Sequence, residues 1–141
     1  MNAVIYTRVA VSDDAGHSAA QQVSQCQKWI EANGHTLVKT YQDVGPAYSG
    51  KTKLPQRDQM FLDAKDHTFG IIVIVTLDRL SRHNETFMRL LNDSVLNETY
   101  LVAVAQNIDL SREDTKGLPA LLNVLVNSFF DTRLQSRVDP K

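Results

Sequence analysis

Three charged side chains follow the most apolar run of the chain. Residues 71–75 are all β-branched, which is typical of a buried strand in a parallel sheet. Such a strand carries the segment behind it, residues 77–82, to the carboxyl edge of the sheet, where α/β proteins bind their ligands. A helical turn there would put Arg79 and Arg82 on one side, as a fork suited to a phosphate. Spacing alone favours the simpler interpretation that Asp78 pairs with Arg79 or Arg82 and caps the turn.

Two further cations come from other parts of the chain. Arg8 follows an apolar segment, residues 3–7, at the point where a first strand should end. Lys65 falls in the last turn of a helix that begins near Pro55, where it also suits the negative end of the helix dipole. The sequence therefore predicts positive side chains at or near one sheet edge: Arg8, Lys65, Arg79 and Arg82.

A polar segment separates the second strand from that helix. Residues 43–54 contain two glycines and a proline and show no hydrophobic period, so they predict a long loop. Long loops in compact domains are more often functional than not. The two lysines of this segment would equally suit a disordered surface loop without a function.

Composition limits the class of protein. The chain has 141 residues, 43% of them hydrophobic, which suits one domain with a single core. No apolar run reaches the roughly 20 residues that cross a bilayer, and no leader precedes the first strand, so we expect a cytoplasmic protein. A net charge of −1 argues against bulk electrostatic binding of nucleic acid, so any such contact must be local. Cys26 and the four histidines lack metal-ligand spacing, and we expect no metal and no cofactor.

The elements that position these side chains alternate along the chain. Apolar segments predict strands, and Ser18, Pro55, Asn84 and Leu118 mark the starts of helices, the first of which stops at Gly34. The stripes Met60, Phe61, Ala64 and Phe87, Leu90, Leu91, Val95 should face a core. The predicted strands are residues 3–7, 36–41, 71–75 and 100–105. Strict alternation demands parallel strands joined by right-handed crossovers.

The last predicted helix, from residue 118, is apolar on almost every side. One sheet cannot cover so much apolar surface, so we expect a partner, most simply a second copy of the chain. The chain stops at residues 139–141 without a finishing element, which indicates a fragment of something longer.

Three separated motifs together resemble a known family. Tyr6-Thr7-Arg8-Val9 ends the first strand, Asp43 is followed by Ser49-Gly50, and Leu77-Asp78-Arg79-Leu80-Ser81-Arg82 follows the central strand. This pattern is similar to the catalytic domain of the serine recombinases, the resolvase and invertase family. The resemblance implies a three-layer α/β domain with a mainly parallel sheet of four or five strands. It implies a catalytic domain over residues 1–117, a long oligomerisation helix starting in 118–141, and a DNA-binding region beyond them.

The resemblance also implies an activity, namely DNA cleavage and rejoining through a covalent link between a serine and a 5′ phosphate. In the family that serine follows the Arg-Val pair, which here is position 10. Position 10 is alanine, which has no oxygen to attack phosphorus. Ser12 lies about 6.5 Å further along an extended chain, too far for in-line attack. We therefore expect an enzyme that is catalytically dead, more simply through an engineered Ser→Ala change than as a natural pseudoenzyme.

The family's other site residues can be carried over position by position. Arg8, Arg79 and Arg82 match arginines that bind the scissile phosphate, and Asp78 matches an aspartate beside the leaving oxygen. Supporting positions match Gln22, Asp43, Ser49 and Lys65. One family arginine, usually followed by proline, appears here as Leu54-Pro55. Lys53 and Arg57 are the candidates for that charge, and the sequence leaves the choice open.

The implied partners are DNA, a second copy in a homodimer, and a tetramer on paired DNA sites, without a membrane. The extended loops suggest a large integrase or transposon enzyme of bacterial, phage or mobile-element origin. A receiver domain shares the alternating elements but needs clustered carboxylates where this chain has Arg8, and a dinucleotide enzyme needs a glycine-rich first turn. A pure oligomerisation domain stays open, with the arginines paired to Asp43 and Asp78.

Overall fold

The computed structural model describes residues 1–9, 18–45 and 53–111, and in them strands and helices alternate as predicted. The elements are β1 (Asn2–Val9), α1 (Ala19–Ala32), β2 (Thr36–Val44), α2 (Pro55–Asp63), β3 (Ile71–Ile74), α3 (Asn84–Leu96), β4 (Tyr100–Ala103) and β5 (Ile108–Asp109). Short 3-10 turns follow α2, β3 and β4, at Ala64–Asp66, Leu77–Arg79 and Val104–Gln106. The prediction of a mixed α/β domain is confirmed.

The described strands form one five-stranded sheet in the order β2-β1-β3-β4-β5. The first four strands are parallel, and β5 pairs antiparallel with β4. The sequence predicted that β4 runs to residue 105 and that a polar connection follows. Instead β4 ends at Ala103, and a 3-10 turn closes a short hairpin, because the left-handed backbone of Asn107 reverses the chain.

Two apolar layers cover the two faces of the sheet. The even-numbered residues Val4 and Tyr6 join a core with α2 and α3, whereas the odd-numbered residues Ala3 and Ile5 join a core with α1. Central strand β3 is fully buried on both faces, as its unbroken apolar run predicts. The domain therefore has three layers, with α1 on one side and α2 and α3 on the other.

The helix boundaries follow local side chains, with one correction. Ser18 forms a capping box with Gln21 at the start of α1, and Gly34 adopts the positive φ that stops this helix, both as predicted. The cap of α3 is His83, whose Nδ1 accepts from the Thr86 amide, rather than Asn84. Any acceptor that reaches this amide can cap a helix, so propensity alone pointed one residue too far.

The apolar stripe of α3 is also shorter than predicted. Phe87 and Leu90 are buried and Leu91 packs partly against the core, but Val95 is 67% exposed. Val95 instead lines a groove together with Met1, Leu91 and Leu110, outside the closed core. Hydrophobic periodicity predicted which face of α3 is apolar, but not how far along the helix that face is buried.

Some predictions fall outside the described residues. These are the alanine at position 10, Ser49, and the helix predicted from Leu118 with the domain division that rests on it. In the described part, no helix is both long and apolar enough to span a membrane.

Burial in the sheet predicts a difference between two valines. Val73→Ala in β3 should lower the free energy of unfolding by about 2 kcal/mol, because the side chain is fully buried. Val38→Ala in β2, where 47% of the residue is exposed, should change it by less than about 0.5 kcal/mol. Urea unfolding followed by circular dichroism checks both. Equal losses would contradict this placement of the core.

Candidate active site

The strand order creates a natural site between β1 and β3. After β1 the chain crosses to the α1 face, and after β3 it crosses to the α3 face. The carboxyl ends of these adjacent strands therefore part at a switch point, where open α/β sheets bind ligands. Arg8 stands at the end of β1, and Asp78 and Arg79 stand in the 3-10 turn behind β3. The fold thus brings together residues that lie some seventy positions apart in the chain.

Arg8 and Arg79 hold each other through their backbones. The Nε of Arg8 donates to the carbonyl of Arg79 at 3.3 Å, and Nη1 of Arg79 donates to the carbonyl of Arg8 at 2.9 Å. Arg8 Nη1 also donates to the carbonyl of Gly45 at 2.6 Å. These partners are carbonyl oxygens, which orient a guanidinium without neutralising its charge. In the described part of the chain, neither arginine has a carboxylate within ion-pair distance.

The charge at this position is poorly compensated. Burial lowers the pKa of the Arg8 guanidinium below its ordinary value, and the neighbouring charge of Arg79 lowers it further. The Nε of Arg79 is buried and has no hydrogen-bond partner among the described residues. Two partly desolvated cations with an unused donor favour an anion.

Asp78 pairs with Arg82, not with Arg79. Arg82 Nη2 lies 3.2 Å from Asp78 Oδ2, and Thr76 donates its hydroxyl to the other carboxylate oxygen. Burial acts to raise the pKa of Asp78, but the Thr76 hydrogen bond and the charges of Arg82 and Arg79 outweigh it and hold the pKa below its ordinary value. The predicted ion pair of this segment is thus the one between Asp78 and Arg82, whereas the guanidinium of Arg79 is held beside Arg8.

Gln22 fixes the backbone of Arg8. Its Oε1 accepts from the Arg8 amide at 3.2 Å, and its Nε2 donates to the Arg8 carbonyl at 3.0 Å. The side chain is buried on α1, so this helix holds the end of strand β1 from the face opposite to α2. The Arg8 carbonyl therefore accepts from both Gln22 and Arg79.

Asp43 joins three elements at the neighbouring strand end. Its side chain lies in register with Arg8 across β1 and β2 and accepts from the Tyr6 hydroxyl at 2.9 Å. It also accepts from the first amides of α2, those of Gln56 and Arg57, at 3.0 and 2.8 Å. A carboxylate on free helix amides is a favourable cap. Asp43 thus fixes where α2 begins and does not pair with Arg8.

Lys65 does not join the arginines. It lies in the 3-10 turn after α2, and it lines a groove of about 550 Å³ between α2 and α3 together with Arg89 and Asp93. Because α2 runs antiparallel to the strands, its end lies toward the edge of the sheet opposite to Arg8. The described fold therefore does not bring Lys65 together with Arg8 and Arg79.

Arg57 lies next to the site, and from the sequence it is only one of two candidates for the charge of the family arginine. It is buried to 5% exposure on the first turn of α2, and Nη1 donates to the carbonyl of Leu80 at 2.8 Å. Leu54 is fully buried and carries no charge. The signal available in the sequence was an arginine on the α2 face that also carries Met60 and Phe61. Within the described ranges, no group of three or more histidine, cysteine or acidic side chains could hold a metal ion.

Comparison with known proteins fits this geometry. The family model of the resolvase N-terminal domain matches residues 3–135. The chain belongs to the resolvase family. No curated protein matches it.

Solved structures of recombinases share the resolvase fold. The N-terminal catalytic domain of TP901-1 integrase is 26% identical, with a TM-score of 0.78 over 96% of this chain and 99% of that one. A resolvase family site-specific recombinase from Streptococcus pneumoniae is 22% identical, with a TM-score of 0.69 over 97% and 93%. The C-terminal catalytic domain of ISC1926 TnpA, an IS607-like serine recombinase, is 20% identical, with a TM-score of 0.67 over 92% and 82%. The last two likenesses concern the fold.

The environment of Asp78 predicts a pH dependence of stability. A carboxylate whose pKa is lower in the folded than in the unfolded state stabilises the fold above its unfolded pKa, and this contribution is lost as pH falls through the folded pKa. Asp78→Asn should therefore be less stable than the parent chain near neutral pH, and the difference should shrink below about pH 4. Urea unfolding at several pH values measures this difference. Thr76→Val should show a smaller effect of the same sign, and a difference independent of pH would contradict the assignment.

Proposed function

We propose that this chain is the catalytic domain of a site-specific DNA recombinase that acts through a 5′-phosphoserine link, and that alanine at position 10 leaves it inactive. The observation that carries the proposal is the reciprocal pair of Arg8 and Arg79, held by carbonyls at the switch point of the sheet. Membership of the resolvase family supports DNA as the substrate. Within that family, the chemistry requires neither a metal nor an energy cofactor.

The arginines would act on the scissile phosphate. As phosphorus becomes five-coordinate, negative charge builds on its equatorial oxygens, and guanidiniums already in place stabilise that charge without reorganising. Arg8 and Arg79 have fixed directions because each guanidinium donates to the other residue's backbone. The unused Nε of Arg79 is a donor that a phosphate oxygen would satisfy.

In the resting state, Asp78 would orient Arg82 rather than donate a proton. Its depressed pKa means that the carboxylate is ionised at neutral pH, and an ionised carboxylate accepts hydrogen bonds only. It holds Arg82 at 3.2 Å, at the rim of the site. We assign Arg82 the task of closing on the phosphate from this rim, with Gln22 and Asp43 as supports of the backbone around it.

The group that the proposed site lacks is a nucleophilic hydroxyl. Position 10 follows directly on Val9, the last residue of β1, two positions beyond Arg8. A serine there is the family's nucleophile, and an alanine methyl cannot form the phosphoester. Ser49 stays a proposed supporting residue. Homodimers and tetramers on paired sites, through the apolar segment that begins at residue 118, are part of the same proposal, as is a cytoplasmic location.

Restoring the nucleophile should restore cleavage. Ala10→Ser in the full-length protein should form a covalent adduct with supercoiled DNA that carries its recombination site, and the parent chain should form none. Denaturing electrophoresis measures the adduct, and peptide mapping places the phosphate on residue 10. Ala15→Ser is the matched control and should stay inactive. A variant that binds the site but never forms an adduct would count against the proposal.

Substitutions in the arginine pair should lower the rate of adduct formation more than the affinity for DNA. In the Ala10→Ser background, Arg8→Lys and Arg79→Lys should each slow adduct formation by about 10² to 10³, because a lysine cannot hold both carbonyl and phosphate. DNA affinity should fall far less. Arg89→Lys is the control, since Arg89 is 58% exposed on α3 and pairs with Asp93. Equal losses of affinity and of rate would show that the arginines only dock DNA.

A further inference from the structure

Arg57 is a buried cation beside the site, outside the residues that match the family's motifs. Its side chain is 6% exposed, and a guanidinium removed from water needs compensating partners. The carboxylate of Asp58 provides one, at 3.3 to 3.4 Å from Nη2 and Nε, but that side chain is itself 55% exposed. The shortest bond of the guanidinium goes elsewhere, from Nη1 to the carbonyl of Leu80 at 2.8 Å.

That carbonyl belongs to the segment that carries the site. Arg79 and Leu80 are consecutive residues at the end of the 3-10 turn behind β3. The carbonyl of Arg79 accepts from Arg8, and the carbonyl of Leu80 accepts from Arg57. Two guanidiniums from different elements therefore hold two successive peptide groups, and the direction of the Arg79 side chain depends on both.

The other end of Arg57 is anchored to the sheet. Its backbone amide donates to Asp43 Oδ2 at 2.8 Å, and the same oxygen accepts from the hydroxyl of Tyr6 at 2.9 Å. Tyr6 lies two residues before Arg8 on β1. A closed circuit of hydrogen bonds thus runs from β1 through Asp43 and Arg57 to the turn, and returns to β1 through Arg79 and Arg8.

We propose that Arg57 is a positioning residue, which holds the Leu80 carbonyl so that Arg79 keeps its contact with Arg8 and its aim at the phosphate. It acts through the turn and does not touch the phosphate. This role rests on the proposed recombinase function, and it makes the start of α2 part of the active site.

Hydrogen exchange on the 141-residue chain tests the positioning without any activity. In Arg57→Met the amides of Arg79 and Leu80, which bond to the carbonyls of Thr76 and Leu77, should exchange about tenfold faster through local opening. The amides of Val73 and Val102 in the core should keep their rates. Arg57→Lys retains a cation that can reach Leu80 and should lie between the parent and Arg57→Met. Arg89→Met on the surface of α3 is the control.

Two exchange results would overturn the role. Equal acceleration at all four amides would mean that Arg57 merely stabilises the whole fold. Unchanged exchange in the turn would mean that its carbonyl does not need Arg57. If Arg57→Met does not fold, Arg57→Lys decides between these outcomes by the same comparison of turn and core.

Adduct formation in the Ala10→Ser background tests the consequence for chemistry. Arg57→Met should slow it by about 10- to 100-fold at saturating DNA, with little change in affinity, because displacement of a catalytic group lowers rate rather than binding. Arg57→Lys should recover part of the rate. An unchanged rate in Arg57→Met would overturn the inference. If Ala10→Ser forms no adduct at all, the proposed function fails, and the exchange data still decide whether Arg57 holds the turn.

Discussion

The reciprocal hydrogen bonds of Arg8 and Arg79 are the constraint on which the site depends. Each guanidinium donates to the other residue's carbonyl, so the end of β1 and the turn after β3 cannot move independently. Carboxylate partners would have fixed the same geometry, but they would also have neutralised the charge. Carbonyl partners keep both cations available to an anion, although burial and the repulsion from Arg79 together lower the pKa of Arg8.

The rest of the polar network supports that pair from every side. Gln22 clamps the Arg8 backbone from the α1 layer, Asp43 fixes the start of α2 against β1, and Arg57 joins that helix to the turn. Hydrogen bonds that involve charged groups contribute about 1.5–3 kcal/mol each, and leaving one buried partner unpaired costs a similar amount. Buried charged groups are thus tolerated here because almost every one has a partner.

Under the proposed function, alanine at position 10 separates the binding of a phosphate from the covalent attack on it. Among the described residues, Arg8, Arg79 and Arg57 are joined through backbone carbonyls, and Arg82 is paired with Asp78 beside them. Under the proposed function, the missing group is the nucleophile. A domain of this kind would keep the electrostatics of a recombinase and lack its covalent step.

Local patterns in the sequence predicted much of the fold. The order of strands and helices, the Ser18 cap and the buried β3 follow from hydrophobic period and capping chemistry. The same patterns placed Arg8 and residues 78–79 behind the first and third strands. Local patterns misplaced the α3 cap, missed β5 and overstated the cover of Val95. Each of these features depends on residues that are close in space but distant in sequence. A short stretch of sequence does not show which residues those are.

The sequence by itself determined that parallel strands alternate with helices and that cations stand behind two of those strands. Only the tertiary structure decided that β1 and β3 are neighbours, that Arg79 faces Arg8 while Arg82 pairs with Asp78, that Lys65 lies elsewhere, and that Arg57 reaches Leu80. The physical reason is range. Periods and caps arise from bonds between residues a few positions apart, whereas strand order and the partners of buried charges are fixed by packing the whole chain around one sheet.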